Sequence, residues 1–177
     1  MRPSPRTVFG GIALFCIGLL AGGLFLQHVK QLEPCPLCIL QRYGYVSIAV
    51  LALAAFAHNP RGLGRAVYAG LITLAALAGG GVALRQIWLI RHPTLAMTCG
   101  GSLEYYLETF PLSKALPSIF RGAGDCTADT WQMLGLRIPE WSLLGFALVA
   151  VAGVFMIFAG VSYWQTSRYR ASLINSK

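Results

Sequence analysis

Four long apolar stretches alternate with polar segments along this chain. Each contains about 20 mostly apolar residues, the length that an α-helix needs to cross the hydrocarbon core of a bilayer. They run from Val8 to Gln27, from Ile39 to Ala57, from Ala66 to Ile90 and from Trp141 to Trp164. The pattern predicts an all-α integral membrane protein, a four-helix bundle in which residues 28–38 and 91–140 form two loops on the same side.

The first stretch has two possible interpretations, because Arg2 and Arg6 precede it as they would in a secretory signal. Its apolar run is longer than the core of such a signal, and Gln27-His28-Val29 lacks the small residues of a cleavage site. We therefore interpret it as a membrane span. We find no internal repeat, linker or low-complexity segment, so residues 1–177 are predicted to form a single membrane domain.

Composition supports the same class. The chain is 56% hydrophobic and only 11% charged, whereas about a quarter of the residues of a soluble domain are charged. Its net charge is +8, and no array of basic and aromatic residues accompanies this charge. We interpret it as a topology signal and an affinity for anionic lipid, with no indication of nucleic-acid binding.

The charged residues segregate between the two sides of the predicted bundle. Basic residues without acidic neighbours occupy the termini and the short middle loop: Arg2, Arg6, Arg61, Arg65, Arg168, Arg170 and Lys177. All acidic residues fall in the other two loops: Glu33, Glu104, Glu108, Asp125, Asp129 and Glu140. Because basic loops stay in the cytoplasm, this distribution predicts that both termini are cytoplasmic and that the acidic loops face outward.

Four of the five cysteines fall in or beside the outward loops. Cys35 and Cys38 belong to a Cys-Pro-Leu-Cys motif where the first outward loop meets the second span, and Cys99 and Cys126 lie in the second outward loop. Disulfides persist on that side of the membrane. Two cysteines three residues apart can close a small, reducible disulfide, which suggests electron transfer. Cys16 lies in the middle of a span and is interpreted as a small core side chain.

The start of the second span has features that suit a reactive thiol. Pro36 is predicted in the first helical turn, where its missing N–H costs nothing. Cys38 would lie in the same turn, where unpaired N–H groups favour a thiolate. Arg42 follows four residues later on the same face. It could stabilise that thiolate, bind a polar group of a ligand, or simply extend to the membrane interface; beside the cysteine motif we favour function.

The second outward loop is too long to be only a connector. Within it, residues 114–121 alternate apolar and basic side chains and are predicted to lie along the membrane surface as a short amphipathic segment. Cys99 and Cys126 flank this segment, and a disulfide between them would contribute about 3 to 4 kcal/mol in the chain-entropy model. Such a bond could be a structural link or a redox centre. The cysteines and histidines do not have zinc-site spacing.

Three sequence segments together resemble the disulfide bond formation protein B family, DsbB. They are Cys35-Pro-Leu-Cys-Ile-Leu-Gln-Arg42, Arg85-Gln-Ile-Trp-Leu before Cys99-Gly100, and Gly124-Asp-Cys-Thr-Ala-Asp-Thr-Trp131 with the stretch that follows from Leu134 to Leu143. The resemblance extends over essentially the whole chain. It implies a four-helix protein of the bacterial inner membrane that reoxidises the periplasmic thiol oxidase DsbA and passes two electrons to a membrane quinone, either ubiquinone or menaquinone.

The resemblance also implies roles for individual residues. Cys99 resembles the cysteine attacked by the DsbA thiolate, and Cys126 resembles its disulfide partner. Once released, Cys126 would attack Cys35, and Cys38 would leave as the thiolate that reduces quinone. Arg42 resembles the arginine of the quinone site.

The third span and the residues just after it contribute further candidates. Arg85 and Gln86 lie near its outward end, so either could face the quinone head group, although Arg85 could equally be an interface anchor. His92 could contact quinone or water, or be an ordinary solvated residue.

Two alternatives remain open from the sequence. A vitamin K epoxide reductase-like enzyme also uses a Cys-x-x-Cys motif in a small bundle, but there the loop cysteines would precede the motif. From a different class, the chain could be a membrane scaffold with structural disulfides only.

Overall fold

The computed structural model describes residues 4–30, 36–92, 132–133 and 135–175. In chain order, the elements are α1 (Pro5–Lys30), α2 (Pro36–His58), α3 (Leu63–Arg91), β1 (Gln132–Met133), β2 (Leu136–Arg137) and α4 (Ile138–Asn175). All four of these helices are long and apolar enough to cross a membrane. The prediction of four spans is confirmed.

The helices begin and end beyond the predicted apolar stretches, because hydrogen bonding continues where hydrophobicity stops. Ser4 caps α1: its Oγ accepts a hydrogen bond from the backbone N–H of Thr7 at 3.2 Å, and Pro5 takes the first helical position. At the other end of the chain, α4 continues to Asn175, past the predicted limit at Trp164. Element ends therefore depend on capping and polar helix formers as well as on apolar length.

A short strand pair precedes α4 and is the one departure from the all-α prediction within the described residues. The strands β1 and β2 pair antiparallel, with Gln132 opposite Arg137, and Gly135 in the turn adopts a φ of 79°. The backbone N–H of Arg137 then donates to Glu140 Oε2 at 2.9 Å, so a carboxylate in the first turn caps the start of α4. Strands of two residues are too short for an alternating pattern to predict.

Several sequence predictions concern residues outside the described ranges. These are the amphipathic segment 114–121, the cysteines Cys35, Cys99 and Cys126, and most of the long loop. Their structures and roles stay predictions.

Among the described residues, alanine is the most frequent residue of the core. Neighbouring helices pack α1 against α2, α2 against α3 and α3 against α4. One buried cluster draws on all four helices and includes Phe9, Ile48, Ile72 and Phe146. Many of its other members are alanines, which let membrane helices approach closely. Cys16 is fully buried in this cluster, as its interpretation as a core residue requires.

The helix faces that point away from the centre of the bundle carry large apolar side chains. Leu14, Leu74, Val151 and Phe155 are each at least 65% exposed. A soluble protein would rarely leave so many large apolar side chains in water, whereas lipid tails are a favourable solvent for them. The distribution fits a bundle whose outer surface contacts lipid.

Among the described residues, four polar side chains are buried: Gln41, Arg65, Thr73 and Gln86. Arg65 donates to the carbonyl oxygen of Ala159 at 2.7 Å, which links α3 to α4. Gln41 and Gln86 instead lie together at the end of the bundle where α2 begins, which we call the Cys38 end.

Candidate redox site at the start of α2

Cys38 lies in the first turn of α2, as predicted. The helix begins at Pro36, whose position in the first turn is likewise confirmed. The Cys38 side chain is half-buried. Unpaired backbone N–H groups and the helix dipole make this turn favourable for a negatively charged sulfur.

A buried glutamine from α3 contacts Cys38. Gln86 Nε2 donates a hydrogen bond to Cys38 Sγ at 3.2 Å. The Gln86 side chain is 0% exposed. Sequence analysis proposed that Gln86 faces a quinone head group; the structure places its amide nitrogen against the cysteine sulfur, and contact with a quinone stays a prediction.

A second glutamine, which the sequence analysis missed, donates a hydrogen bond to Gln86. Gln41 Nε2 donates to Gln86 Oε1 at 2.6 Å, and the Gln41 side chain is itself buried. A signal for it was available, because Gln41 is a polar residue in a membrane span, three residues after Cys38 and so on the same helical face. The two amides and the sulfur form a continuous chain of hydrogen bonds between α2 and α3.

Arg42 reaches α1. Its Nη1 donates to Gln27 Oε1 at 2.6 Å, and its Nη2 donates to the carbonyl oxygen of Gly23 at 3.2 Å. The side chain is half-buried. Arg42 is therefore not merely extended to the interface; it is held between two helices near Cys38, while contact with the Cys38 thiolate or a quinone stays a prediction.

Gln27 is a further site residue that the sequence analysis did not single out. It lies half-buried in the last turns of α1, and its side-chain amide oxygen accepts the hydrogen bond that fixes one arm of the Arg42 guanidinium. A guanidinium has five N–H donors, so the two bonds to α1 leave donors suited to a ligand carbonyl. The donor set at this position fits the polar head of a quinone.

Arg85 has a different environment from its neighbour Gln86. Its guanidinium carbon lies 4.6 Å from the ring centroid of Trp88, an arrangement typical of a cation–π contact. Trp88 in turn stacks on His92, with ring centroids 4.8 Å apart. Aromatic and basic side chains commonly gather at a membrane interface, so the contacts favour an anchor; a quinone contact of Arg85 stays a prediction.

An open cavity of about 350 Å³ lies on another side of α3 at the same end. Residues of α3, β2 and the start of α4 line it, including Ile87, Arg91 and Glu140. Arg91 and Glu140 form an ion pair at 3.4 Å, but the Arg91 side chain is 70% exposed. Such a solvated pair contributes little to stability.

Comparison with known proteins adds information that geometry alone does not provide. Residues 5–156 match the family model described as "Disulfide bond formation protein DsbB". A disulfide bond formation protein B from Azoarcus sp. is 51% identical over 153 residues, covering 86% of this chain and 92% of the relative. The corresponding proteins of Aromatoleum aromaticum and Nitrosomonas europaea are 53% and 50% identical, covering 87% and 84% of this chain and 93% and 92% of the relatives.

Proposed function

The chain belongs to the DsbB family of multi-pass membrane proteins, and from this premise we propose that it reoxidises a DsbA-like periplasmic thiol oxidase and passes the electrons to a membrane quinone. Family membership makes it a disulfide-forming oxidoreductase. The identity of the thiol partner, the electron acceptor and the sidedness are our proposals.

One observation carries the proposal. A cysteine of a Cys-x-x-Cys motif lies in the first turn of a membrane helix, and Gln86 donates a hydrogen bond to its sulfur. Arg42, held by Gln27, lies one turn further along the same helix. A structural disulfide needs neither a buried donor at its sulfur nor an adjacent cation, whereas a reactive thiolate benefits from both.

The proposed electron path begins with thiol–disulfide exchange in the outward loops. A thiolate of the partner attacks Cys99 of a Cys99–Cys126 disulfide and releases the Cys126 thiolate. Cys126 attacks Cys35 of a Cys35–Cys38 disulfide and releases the Cys38 thiolate. The second partner thiolate then breaks the mixed disulfide at Cys99, and Cys99 attacks Cys126 to restore their bond and free Cys35.

The net result is an oxidised partner and a reduced Cys35–Cys38 pair. This pair carries the two electrons and two protons that the partner dithiol has lost. The proposed quinone supplies the final oxidation, because it can accept two electrons and two protons as it becomes hydroquinone. The Cys38 thiolate would donate the electron pair from the first turn of α2, and the Arg42 guanidinium would orient the acceptor carbonyl.

The charge distribution supports the proposed sidedness. Basic residues mark the termini and the middle connection, and acidic residues mark the loops that carry the four cysteines. We therefore propose an inner-membrane location with cytoplasmic termini and periplasmic redox cysteines. Family membership also favours this function over the vitamin K epoxide reductase-like alternative.

Turnover by the purified protein tests the proposal. The full chain in detergent, given a reduced DsbA-like oxidase and a soluble quinone analogue, should reduce the quinone in proportion to the partner oxidised. Cys38→Ser should abolish quinone reduction, and Cys16→Ala should retain it. A native chain that folds but shows no quinone-dependent oxidation of any DsbA-like partner would support the scaffold alternative instead.

A further inference from the structure

The chain of hydrogen bonds from Gln41 through Gln86 to Cys38 has a direction. Gln86 accepts at Oε1 from Gln41 and donates from Nε2 to the sulfur. An amide that accepts at its oxygen becomes a better donor at its nitrogen, because hydrogen bonds in a chain polarise one another. The contact with Gln41 therefore strengthens the contact with Cys38.

Burying two amide side chains in a membrane bundle costs free energy unless their polar atoms are hydrogen-bonded. Both amide side chains are at least 96% buried in a bundle whose interior is otherwise mainly apolar. A single bond between two buried amides would already link α2 to α3. The additional donor aimed at Cys38 gives Gln86 a role that a helix-to-helix link does not require.

The hydrogen bond to sulfur discriminates between the two protonation states of Cys38. A neutral thiol is a weak acceptor, whereas a thiolate accepts a shorter and stronger, charge-assisted bond. The two basic side chains near this hydrogen bond make contacts elsewhere: Arg42 donates to Gln27 on α1, and Arg85 lies over Trp88. Gln86 thus approaches the sulfur from the α3 side, separately from Arg42.

We propose that Gln86 and Gln41 act as an amide relay, a pair of positioning residues that stabilises the Cys38 thiolate and fixes the orientation of its sulfur. The proposal rests on the proposed function for its consequence in turnover, because the Cys38 thiolate is the group that reduces the acceptor there. It assigns Gln86 to the sulfur instead of to the quinone head group.

The test measures the reactivity of Cys38 alone, without partner or quinone. In the full-length protein, the other four cysteines are replaced by Cys16→Ala, Cys35→Ser, Cys99→Ser and Cys126→Ser, and the alkylation rate of Cys38 by iodoacetamide is followed against pH. Gln86→Met keeps the length of the side chain but removes its donor and acceptor. We expect the rate at neutral pH to fall about tenfold, as expected for one lost charge-assisted hydrogen bond.

The shape of the pH profile distinguishes stabilisation of the thiolate from simple access. A lost donor lowers the rate at neutral pH and leaves the plateau at high pH unchanged, because every Cys38 is then ionised. A change in access lowers the rate equally at all pH values. The second pattern, or an unchanged profile, would overturn the proposal.

Three further variants complete the design. Gln41→Met should lower the neutral rate about twofold to threefold, because the Gln86 donor remains but is less polarised. Adding it to Gln86→Met should cause no further loss, since the two amides act through one bond to sulfur. Tyr45→Phe is the matched control: it removes a donor to the carbonyl of Ser142, and it should leave Cys38 alkylation unchanged.

Loss of folding does not prevent the test. If Gln86→Met fails to fold because Gln41 is left unpaired, Gln41→Leu combined with Gln86→Leu removes both polar groups and leaves neither unsatisfied. This double variant should show the same loss at neutral pH. Failure of the proposed function would appear differently, as absence of quinone reduction by the native chain, which the alkylation assay does not measure.

Discussion

The rings of Tyr45 and Phe146 stack with their centroids 4.1 Å apart and their planes inclined by only 8°. Tyr45 also donates a hydrogen bond to the carbonyl oxygen of Ser142 at 2.8 Å. These contacts join α2 to α4 two turns beyond Cys38. Gly79 on α3 provides the space for the Phe146 ring, so three helices meet at one aromatic side chain.

The first prediction concerns this meeting point. A Cβ added at Gly79 would overlap the Phe146 ring, and we expect Gly79→Ala to lower the stability of the bundle by about 1 to 3 kcal/mol through overpacking. Gly81→Ala is the control, because a Cβ there meets nothing within 4 Å and alanine is the better helix former. Thermal unfolding in detergent measures both; equal midpoints for the two variants would contradict the packing argument.

The second prediction concerns Arg42. We expect Arg42→Met to raise the quinone KM about tenfold, because an orienting, charge-assisted contact is lost. Stability should fall only modestly, since Gln27 and the Gly23 carbonyl each lose a donor at the edge of the membrane. Arg42→Lys keeps the charge without the planar guanidinium, so its quinone KM should lie between those of the native protein and Arg42→Met. Steady-state kinetics with a quinone analogue provide the measurement.

A control for Arg42 is available at the other end of the bundle. Arg61 is exposed, and Arg61→Met should leave the quinone KM unchanged. If Arg42→Met had normal quinone kinetics together with a large fall in unfolding temperature, Arg42 would be a structural anchor. The quinone would then have to bind elsewhere.

The third prediction separates the two cysteine pairs. In Cys126→Ser the Cys99 thiolate is free to attack the disulfide of the oxidised partner and release one partner thiolate, and the resulting mixed disulfide should accumulate because the resolving thiol of Cys126 is gone. Non-reducing electrophoresis after mixing with the oxidase detects this species.

Cys16→Ala should change turnover little and cost about 1 kcal/mol of stability, as expected for a small change in a packed core. Loss of turnover in Cys16→Ala with normal turnover in Cys99→Ala would reverse these assignments.

The fourth prediction tests the sidedness of the bundle. A single cysteine introduced at Arg61, in the exposed connection between α2 and α3, should be protected from a membrane-impermeant thiol reagent in spheroplasts. One introduced at Ser113 should react. Both are compared in a background without the native cysteines, and permeabilised cells control for labelling efficiency. The opposite pattern of labelling would invert the topology and the compartment of the redox cysteines.

The sequence determined the number of membrane helices and the place of Cys38. Both depend on local properties: the length of an apolar stretch decides whether a helix spans, and Pro36 marks the first turn of α2. Cys16 was also assigned to the core correctly, because a small apolar side chain in the middle of a span needs no particular partner. The amphipathic segment and the outward cysteine pairs remain predictions of the sequence.

Only the tertiary structure decided which polar groups meet. Gln86 and Cys38 are 48 residues apart in the chain, and no periodicity specifies which of several polar side chains near a helix end will contact the sulfur. Arg42 follows Cys38 by one turn, yet its long side chain has enough freedom to reach Gln27 on α1. The direction of such side chains is set by how α1, α2 and α3 pack, since a buried polar group must find its partner among the atoms that packing brings within hydrogen-bonding distance.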